Sequence, residues 1–388
     1  MIKIFFSDKV FIDSNDKVRA GAIDFINFAL NSDIAMIYVS YKTEKQLTDK
    51  PIISLLLNFY NIPVNQDKIK VINRKNIAKC TDDCKKNIFL GVKDVDLFNA
   101  TASKILLLYP TWVATNETRC KQYGIPISDF KSLEKLITII ARQKTFYYSL
   151  KVDERTTVYA LTSANNYGAT INENEAINKL HETLKNGDPS HLQAIMCYLL
   201  AGIMSHDDLK STDIWGIMPS SGTTLNKEMM AIKKQCRYLT GKKLSKNILL
   251  RHTETSKSHS TSKDTRLFIG AKKHLDTMIL NPYYKDKLAN KTVTILDDYV
   301  TNGISFEAAR DLLEAENVKQ INFVAIGRFR SRMSNGLGIY QKESYSLAKD
   351  LFSANTSAQL TKRDKDFGMN GKYDESAHAD LADLAKLF

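Results

Sequence analysis

Two adjacent aspartates, Asp297 and Asp298, end an apolar run and precede a small, hydroxyl-bearing turn in the segment ILDDYVTNGISFEAARDLL. The apolar run predicts a buried strand, and open α/β sheets bind ligands beyond the carboxyl ends of such strands. Gly303 tolerates the backbone angles that a tight loop requires. A helix is predicted from about Ser305, so backbone N–H groups and the hydroxyls of Thr301 and Ser305 would converge on an anion.

The two carboxylates suit another part of the same ligand. They are badly placed to bind a phosphate, but they accept hydrogen bonds from hydroxyls strongly because the acceptor is charged. The segment therefore predicts a ligand with a phosphate at one end and vicinal hydroxyls at the other, such as a ribose 5-phosphate. The alternative is a strand followed by an N-capped helix, with both acids as ordinary turn residues. The combined order of strand, acid pair, Thr, Gly, Ser and helix favours the ligand site.

Strand and helix patterns alternate through the first half of the chain. Apolar strand patterns and amphipathic helix patterns follow one another from Ile2 to SLEKLITIIARQK, which we expect to be the closing helix. This alternation predicts a parallel sheet with helices on its faces. A boundary is expected near residues 145–155.

The second half of the chain also alternates strand and helix patterns. IWGIMP is a predicted strand that enters the loop SSGTT, and VTILDD and QINFVAIGRF are predicted strands separated by a helix. The hydrophilic stretch RHTETSKSHSTSKDTR has little to bury, and a loop of that length is functional or disordered. Beyond residue 335 a charged tail ends in a helical pattern that we expect to dock on the domain rather than bind a partner; its apolar face comprises Leu381, Leu384, Ala385 and Phe388.

Composition narrows the class of protein. The chain has 388 residues, which favours two domains, and its hydrophobic share of 43% is typical of a soluble globular protein. No run approaches the ~18 apolar residues of a membrane span. The opening MIKIFFSDKVFID reaches an acid too early for a signal peptide. We therefore expect a cytoplasmic protein without a membrane partner, with its five scattered cysteines reduced.

The formal net charge of +12 indicates a polyanionic partner. Bulk charge does not distinguish a phosphorylated small molecule from nucleic acid. We expect the former as substrate, and keep nucleic acid as an alternative partner and a homodimer as a candidate assembly.

The segment TILDDYVTNGIS resembles the signature by which type I phosphoribosyltransferases bind 5-phosphoribosyl 1-diphosphate (PRPP). That signature is a hydrophobic strand, two acids, two hydrophobic residues, Thr-Thr-Gly and a small or hydroxyl residue. Asn302 replaces the second Thr and can still donate to phosphate. The resemblance implies that Asp297 and Asp298 bind the ribose hydroxyls, and bind Mg²⁺ indirectly through PRPP. It implies a phosphate loop formed by Thr301, Asn302, Gly303, Ile304 and Ser305.

The resemblance covers most of residues 200–330. IWGIMPSSGTTLN is similar to the family's strand and pyrophosphate loop, here Ser220, Ser221, Gly222, Thr223 and Thr224. LLRHTETSKSHSTSKDTR is similar to the mobile catalytic loop of the ComF-like branch, with Arg251, Lys257 and Arg266 as the residues that would close over the substrate. In many active relatives a basic residue belongs to the pyrophosphate loop, whereas this chain has Pro219 to Gly222. That departure favours binding without turnover as an alternative.

The resemblance implies a reaction. A nitrogen nucleophile would displace pyrophosphate from the anomeric carbon of PRPP through a transition state resembling an oxocarbenium ion. Negative charge would build on the leaving group, where basic side chains and Mg²⁺ would stabilise it. Closure of the mobile loop would exclude water as a competing nucleophile.

Residues 1–140 are similar to a haloacid-dehalogenase (HAD)-like domain. MIKIFFSDKVFID resembles the family's first motif, Ser40 fits the second, and FLGVKDVDLFNATAS the fourth. The resemblance implies a Mg²⁺ site formed by Asp8, Asp94 and Asp96, with Lys85 or Lys86 as the charge-stabilising lysine. The first motif is defective, since either Lys9 or Val10 stands where the acid/base is needed. We therefore expect a catalytically degenerate domain rather than a phosphatase.

The sequence thus predicts an α/β protein of two domains, each a mainly parallel sheet with helices on both faces. The predicted parts are a HAD-like domain (1–148), a phosphoribosyltransferase-like domain (149–335) and a C-terminal tail (336–388). The expected function is transfer of phosphoribosyl from PRPP, with Mg²⁺, to a nitrogenous base or nucleotide-like acceptor in nucleotide metabolism. The alternatives are a PRPP-, nucleotide- or nucleic-acid-binding regulator or effector of the stress or phage-defence type, and a bifunctional transferase and phosphatase.

Overall fold

The computed structural model describes residues 1–40, 68–81, 84–254, 270–330, 339–348, 350–354 and 359–388. Its first sheet has six strands, all parallel, in the order β3-β2-β1-β4-β5-β6. The strands are β1 (Ile2–Phe6), β2 (Ile34–Ser40), β3 (Ile69–Asn73), β4 (Lys86–Leu90), β5 (Leu106–Pro110) and β6 (Ile125–Ile127).

Helices cover both faces of this sheet. They are α1 (Ala22–Asn31), α2 (Asp94–Ala102), α3 (Thr118–Tyr123) and α4 (Phe130–Arg142). Alternate side chains of β1 enter different cores: Ile4 and Phe6 pack with Phe25 and Phe130, whereas Phe5 packs with Leu97. Because both faces are buried, the strands are continuous apolar runs rather than alternating ones, as in other parallel sheets.

The second sheet is mixed, in the order β16-β7-β8-β13-β12-β9. The four strands β8, β13, β12 and β9 are parallel, and β7 and β16 extend the sheet antiparallel. The strands are β7 (Tyr148–Lys151), β8 (Thr156–Ser163), β9 (Ile214–Ile217), β12 (Thr292–Val300), β13 (Gln320–Arg328) and β16 (Lys372–Tyr373). The prediction of an α/β protein built on two mainly parallel sheets is confirmed at this level.

The remaining elements surround the second sheet. The helices are α5 (Ile171–His181), α6 (Leu192–Ser205), α7 (Asp207–Lys210), α8 (Lys227–Leu239), α9 (Lys272–Leu275), α10 (Ile304–Ala315) and α11 (Ser376–Ala385). A π-helical turn at Glu182–Asn186 continues α5. Two antiparallel pairs join β10 (Leu249–Arg251) to β11 (Met278–Leu280), and β14 (Tyr340–Ala348) to β15 (Gln359–Met369).

The described residues of the predicted tail (336–388) take part in the second sheet and its surroundings. Strand β16 pairs with β7, and α11 contacts β8, α5 and α6 as well as α4 of the first half. Leu381 and Leu384 are buried, so the prediction of a docking helix is confirmed.

Helices that flank the two sheets contact each other through side chains. Arg142, the last residue of α4, forms ion pairs with Asp380 and Asp383 of α11. Tyr123 and Tyr238 stack with ring centroids 3.8 Å apart. Among the described residues, no helix is long and apolar enough to cross a membrane.

Candidate functional site

Two loops of the second sheet leave the same edge. Strands β9 and β12 are adjacent and parallel, with Ile217 opposite Leu296, so their carboxyl ends lie side by side. The N–H of Met218 continues this pairing by donating to the Leu296 carbonyl at 2.8 Å. The stretch from Pro219 to Thr224 and the turn from Thr301 to Ser305 therefore border one edge, which is the ligand-binding edge of open α/β sheets.

The acid pair lies at this edge and is partly exposed. The N–H of Asp298 donates to Asp297 Oδ1 at 2.9 Å, and the N–H of Tyr299 donates to Asp298 Oδ1 at 2.7 Å. Burial and the neighbouring Asp298 carboxylate raise the pKa of Asp297 well above its usual range. Two carboxylates held this close favour a ligand that donates hydrogen bonds to them.

A lysine contacts the acid pair, and no sequence pattern predicted it. Lys185, in the π-helical turn, forms an ion pair with Asp298. Its ammonium also lies over the Tyr299 ring, 5.4 Å from the centroid. The two partners are 113 residues apart in the chain, so no local motif connects them.

The turn after β12 has the conformation that its glycine was expected to permit. Gly303 has φ +77° and is the N-cap of α10, which begins at Ile304. The Thr301 carbonyl accepts a hydrogen bond from the Arg328 guanidinium, and the Asn302 carbonyl accepts one from the Gln341 N–H at 2.9 Å. The Asn302 side-chain Nδ2 is buried and has no hydrogen-bond partner among the described residues.

A buried polar network supports this turn from behind. Glu307, in the first turn of α10, is fully buried and accepts from the Tyr340 hydroxyl at 2.5 Å and from the Glu343 N–H at 2.9 Å. Arg310, only 2% exposed, forms an ion pair with Glu307 at 2.5 Å. Because buried charges are costly unless they are paired, this network fixes α10 against β14.

The segment that resembles a pyrophosphate loop is open to solvent. Ser220, Thr223 and Thr224 are exposed, and Ser221 and Gly222 are half-buried. The Ser220 hydroxyl donates to the Thr224 carbonyl at 2.8 Å, which closes the loop on itself. Helix α8 follows at once, with its N-terminus capped by the side chain of Asn226.

Arg251 joins this loop to strand β10. Its Nε donates to the Ser220 carbonyl at 2.6 Å, and its other nitrogens contact Thr277 and His274. Burial lowers the pKa of Arg251 to about 10, and the nearby Asp297 carboxylate works against that shift. Burial and the Arg251 charge lower the pKa of His274 to about 3, so the imidazole is neutral and Arg251 keeps its charge at pH 7.

The structure thus brings together Arg251, the segment Ser220–Thr224, the acid pair and the turn 301–305. The predicted loop residues Lys257 and Arg266 lie outside the described residues. Three contributors were missed: Lys185, Tyr340 and Arg328 each reach the site from a distant segment and carry no local sequence signal.

The carboxylates expected to bind Mg²⁺ in the first half have structural partners. Asp96 accepts from the Val92 and Lys93 N–H groups, both at 2.9 Å, and so caps α2. Asp94 accepts from the Arg119 and Cys120 N–H groups at the start of α3, both at 2.9 Å. Asp8 accepts from the Lys9 N–H at 3.1 Å. Among the described residues no group of three His, Cys, Asp or Glu side chains could hold a metal ion. A Mg²⁺ site formed by Asp8, Asp94 and Asp96 stays a prediction.

The expectation for the charge-stabilising lysine is wrong for Lys86. Lys86 begins β4, at the edge of the sheet opposite to Asp94. Its ammonium donates to carbonyls at the end of α4, among them that of Ala141 at 3.2 Å. A lysine there caps a helix C-terminus and lies far from the carboxyl edge.

Compared with models of known protein families, with curated proteins and with solved structures, the chain has no match.

Proposed function

We propose that the second half of the chain binds PRPP and transfers its phosphoribosyl group to a nitrogen acceptor with release of pyrophosphate. The observation that carries this proposal is the shared edge of β9 and β12, where the acid pair Asp297–Asp298 lies between the turn at Gly303 and the loop that Arg251 holds at Ser220.

Each part of the edge suits one part of PRPP. The acid pair would accept hydrogen bonds from the two ribose hydroxyls. The turn 301–305 would bind the 5-phosphate with the backbone N–H groups at the start of α10. Thr223 and Thr224 are exposed residues on the other side, where the diphosphate would lie.

The reaction forms one bond and breaks one. The acceptor nitrogen forms a bond to the anomeric carbon, the bond from that carbon to the diphosphate oxygen breaks, and its electron pair leaves with pyrophosphate. The acceptor loses a proton to solvent or to a base. Mg²⁺, when bound with PRPP, would neutralise diphosphate charge, and the acid pair would reach it only through the ribose hydroxyls. The chain itself would hold the ribose and position the leaving group.

Calorimetric titration of PRPP with Mg²⁺ tests the proposal directly. We expect the wild type to bind and Asp297→Asn/Asp298→Asn to lose binding. The matched control is Asp207→Asn/Asp208→Asn, which changes another adjacent acid pair, in α7, and should bind as the wild type does. Absence of binding to the wild type, or equal loss in both double variants, would contradict the proposal.

Binding without turnover is the second candidate function. It is favoured by the composition of the segment Pro219–Gly222, which lacks the basic residue that would stabilise a leaving diphosphate. A screen of nitrogenous bases for pyrophosphate release separates the two candidates. Release that needs both a base and an intact acid pair supports transfer, whereas PRPP binding with no release for any base supports a regulator.

A further inference from the structure

The segment Pro219–Gly222 contains no cation, yet a leaving diphosphate accumulates negative charge during the proposed transfer. Three described cations contact the edge: Arg251, Arg328 and Lys185. Arg251 is only 6% exposed and is engaged by Ser220, Thr277 and His274. Arg328 is only 1% exposed and donates to the Thr301 carbonyl. The more exposed positive charge at the edge is therefore that of Lys185, whose side chain is 39% exposed.

A hydrogen bond fixes the segment that carries Lys185 beside the loop Ser220–Thr224. Asn226, which lies two residues after Thr224, caps α8, and its side-chain Nδ2 donates to the Leu184 carbonyl at 2.8 Å. Gly187, with φ +76°, ends the π-helical turn directly afterwards. The backbone beside Lys185 is therefore hydrogen-bonded to the residue that caps α8, while the Lys185 ammonium contacts Asp298 of strand β12.

The ion pair with Asp298 costs little to break. The Lys185 side chain is 39% exposed and that of Asp298 is 23% exposed. Exposed pairs of this kind contribute little to stability because water competes for both charges. A diphosphate carries more negative charge than one carboxylate, and a lysine ammonium on a four-carbon stem can move between the two.

We propose that Lys185 is the cation that binds the diphosphate of PRPP, in place of the basic residue that the loop lacks. On ligand binding its ammonium leaves Asp298 for the diphosphate oxygens, and the freed carboxylate accepts hydrogen bonds from a ribose hydroxyl. During transfer the same ammonium offsets the charge that the departing pyrophosphate gains. This inference rests on the proposed function and adds the side chain that binds the diphosphate, which is the leaving group of PRPP.

The test compares Lys185→Met and Lys185→Arg with the wild type in titrations of three probes, each with Mg²⁺: PRPP, inorganic pyrophosphate and ribose 5-phosphate. We expect Lys185→Met to weaken PRPP and pyrophosphate binding by roughly 10- to 100-fold, the range for a lost hydrogen bond to a charged group. Ribose 5-phosphate binding should change by less than about threefold, since no diphosphate is present. Lys185→Arg should retain most of the affinity.

Lys179→Met is the matched control. Lys179 lies on α5, is 47% exposed and forms an ion pair with Glu175 at 2.7 Å, so its loss removes the same charge from the same segment at similar exposure. It should bind all three probes as the wild type does. Thermal unfolding of each variant confirms that it is folded.

Three outcomes would overturn the inference, and each has a different meaning. Tighter PRPP binding by Lys185→Met would show that Lys185 only blocks Asp298. Equal affinity of Lys185→Met and the wild type would show that it has no part in binding. If the wild type binds neither PRPP nor pyrophosphate, the proposed function fails and the inference fails with it.

Discussion

The ring of Tyr340 covers Gly303, at the place where a Cβ atom on residue 303 would project. The same tyrosine donates its hydroxyl to Glu307 at 2.5 Å, so strand β14 is joined to both the turn and the first turn of α10. The turn 301–305 therefore keeps its shape through Tyr340, which follows Gly303 by 37 positions in the chain.

Replacing Gly303 with alanine should remove PRPP binding and destabilise the protein. An L-residue at φ +77° is strained, and the new methyl group would overlap the Tyr340 ring. Backbone strain and overpacking together are expected to lower the free energy of unfolding by about 2–5 kcal/mol. Chemical denaturation and PRPP titration measure the two effects.

Gly187→Ala is the control for backbone strain alone. Gly187 has φ +76°, and its nearest neighbour would be Glu228 Oε1 at 3.4 Å, so the substitution adds strain without a clash. We expect a loss of about 1–2 kcal/mol. A Gly303→Ala variant no less stable than Gly187→Ala would disprove the role assigned to Tyr340.

Glu307→Gln should be strongly destabilising because it leaves Arg310 without its fully buried counter-charge. Removing one partner of a buried ion pair typically costs about 3–5 kcal/mol. Glu314→Gln removes another carboxylate that contacts Arg310, but that carboxylate is 24% exposed, so a loss of about 1 kcal/mol or less is expected. In urea denaturation, the double variant Glu307→Gln/Arg310→Met should be more stable than Glu307→Gln alone.

Asp297→Asn should stabilise the protein at neutral pH while weakening PRPP binding. The pKa of Asp297 is raised by burial and by Asp298, so its charged form is disfavoured in the folded state. The unfolded carboxyl loses its proton near its ordinary pKa of about 3.9. Stability therefore falls as pH rises from that value through the raised folded pKa, and asparagine removes this loss.

Thermal unfolding at several pH values measures whether Asp297→Asn raises or lowers the melting temperature. The gain in melting temperature from Asp297→Asn should be present at pH 7.5 and should vanish below pH 4. Asp213→Asn should instead lower the melting temperature at pH 7.5. Burial alone would raise the pKa of Asp213, but hydrogen bonds from Lys242 and the Thr292 N–H hold that pKa below its ordinary value. A lower melting temperature for Asp297→Asn at pH 7.5 would contradict the prediction.

Arg251→Lys should weaken PRPP binding although it keeps the positive charge. A lysine ammonium cannot reproduce the planar fork that contacts Ser220, Thr277 and His274 together. We expect about a tenfold loss in affinity by calorimetry, equivalent to one misplaced hydrogen bond. Arg237→Lys, on α8, changes a half-buried arginine that donates to the Lys242 carbonyl at 3.0 Å, and PRPP affinity should be unchanged. Equal effects of the two variants would exclude a specific role for Arg251.

The parts of the site that consecutive residues determine could be predicted from the sequence. The apolar run before Asp297 had to be a buried strand, and Gly303 had to allow a left-handed turn, because both are dictated by local physics. The parallel arrangement also followed, since strands and helices alternate. The mixed character of the second sheet was not foreseen: β7 and β16 add to it from segments that read as a linker and a tail.

Other features depend on contacts that no local pattern encodes. Lys185 and Tyr340 reach the site across 113 and 33 positions from Asp298 and Glu307. Asp94 and Asp96 have the spacing of metal ligands, but their oxygens accept backbone N–H groups instead. A carboxylate in the first turn of a helix serves capping as well as it serves a metal, and the sequence alone does not separate the two uses.

The pairing of β16 with β7 has a consequence for biosynthesis. The first sheet uses residues 2–127 and can complete its hydrogen bonds while the ribosome is still translating the second half. The second sheet cannot, because its edge strand β16 and the covering helix α11 are made more than 200 residues after Tyr148 begins β7. A nascent chain stalled at residue 330 should therefore resist protease over the first sheet and remain sensitive beyond it, with the proposed PRPP edge forming only after translation has passed residue 385.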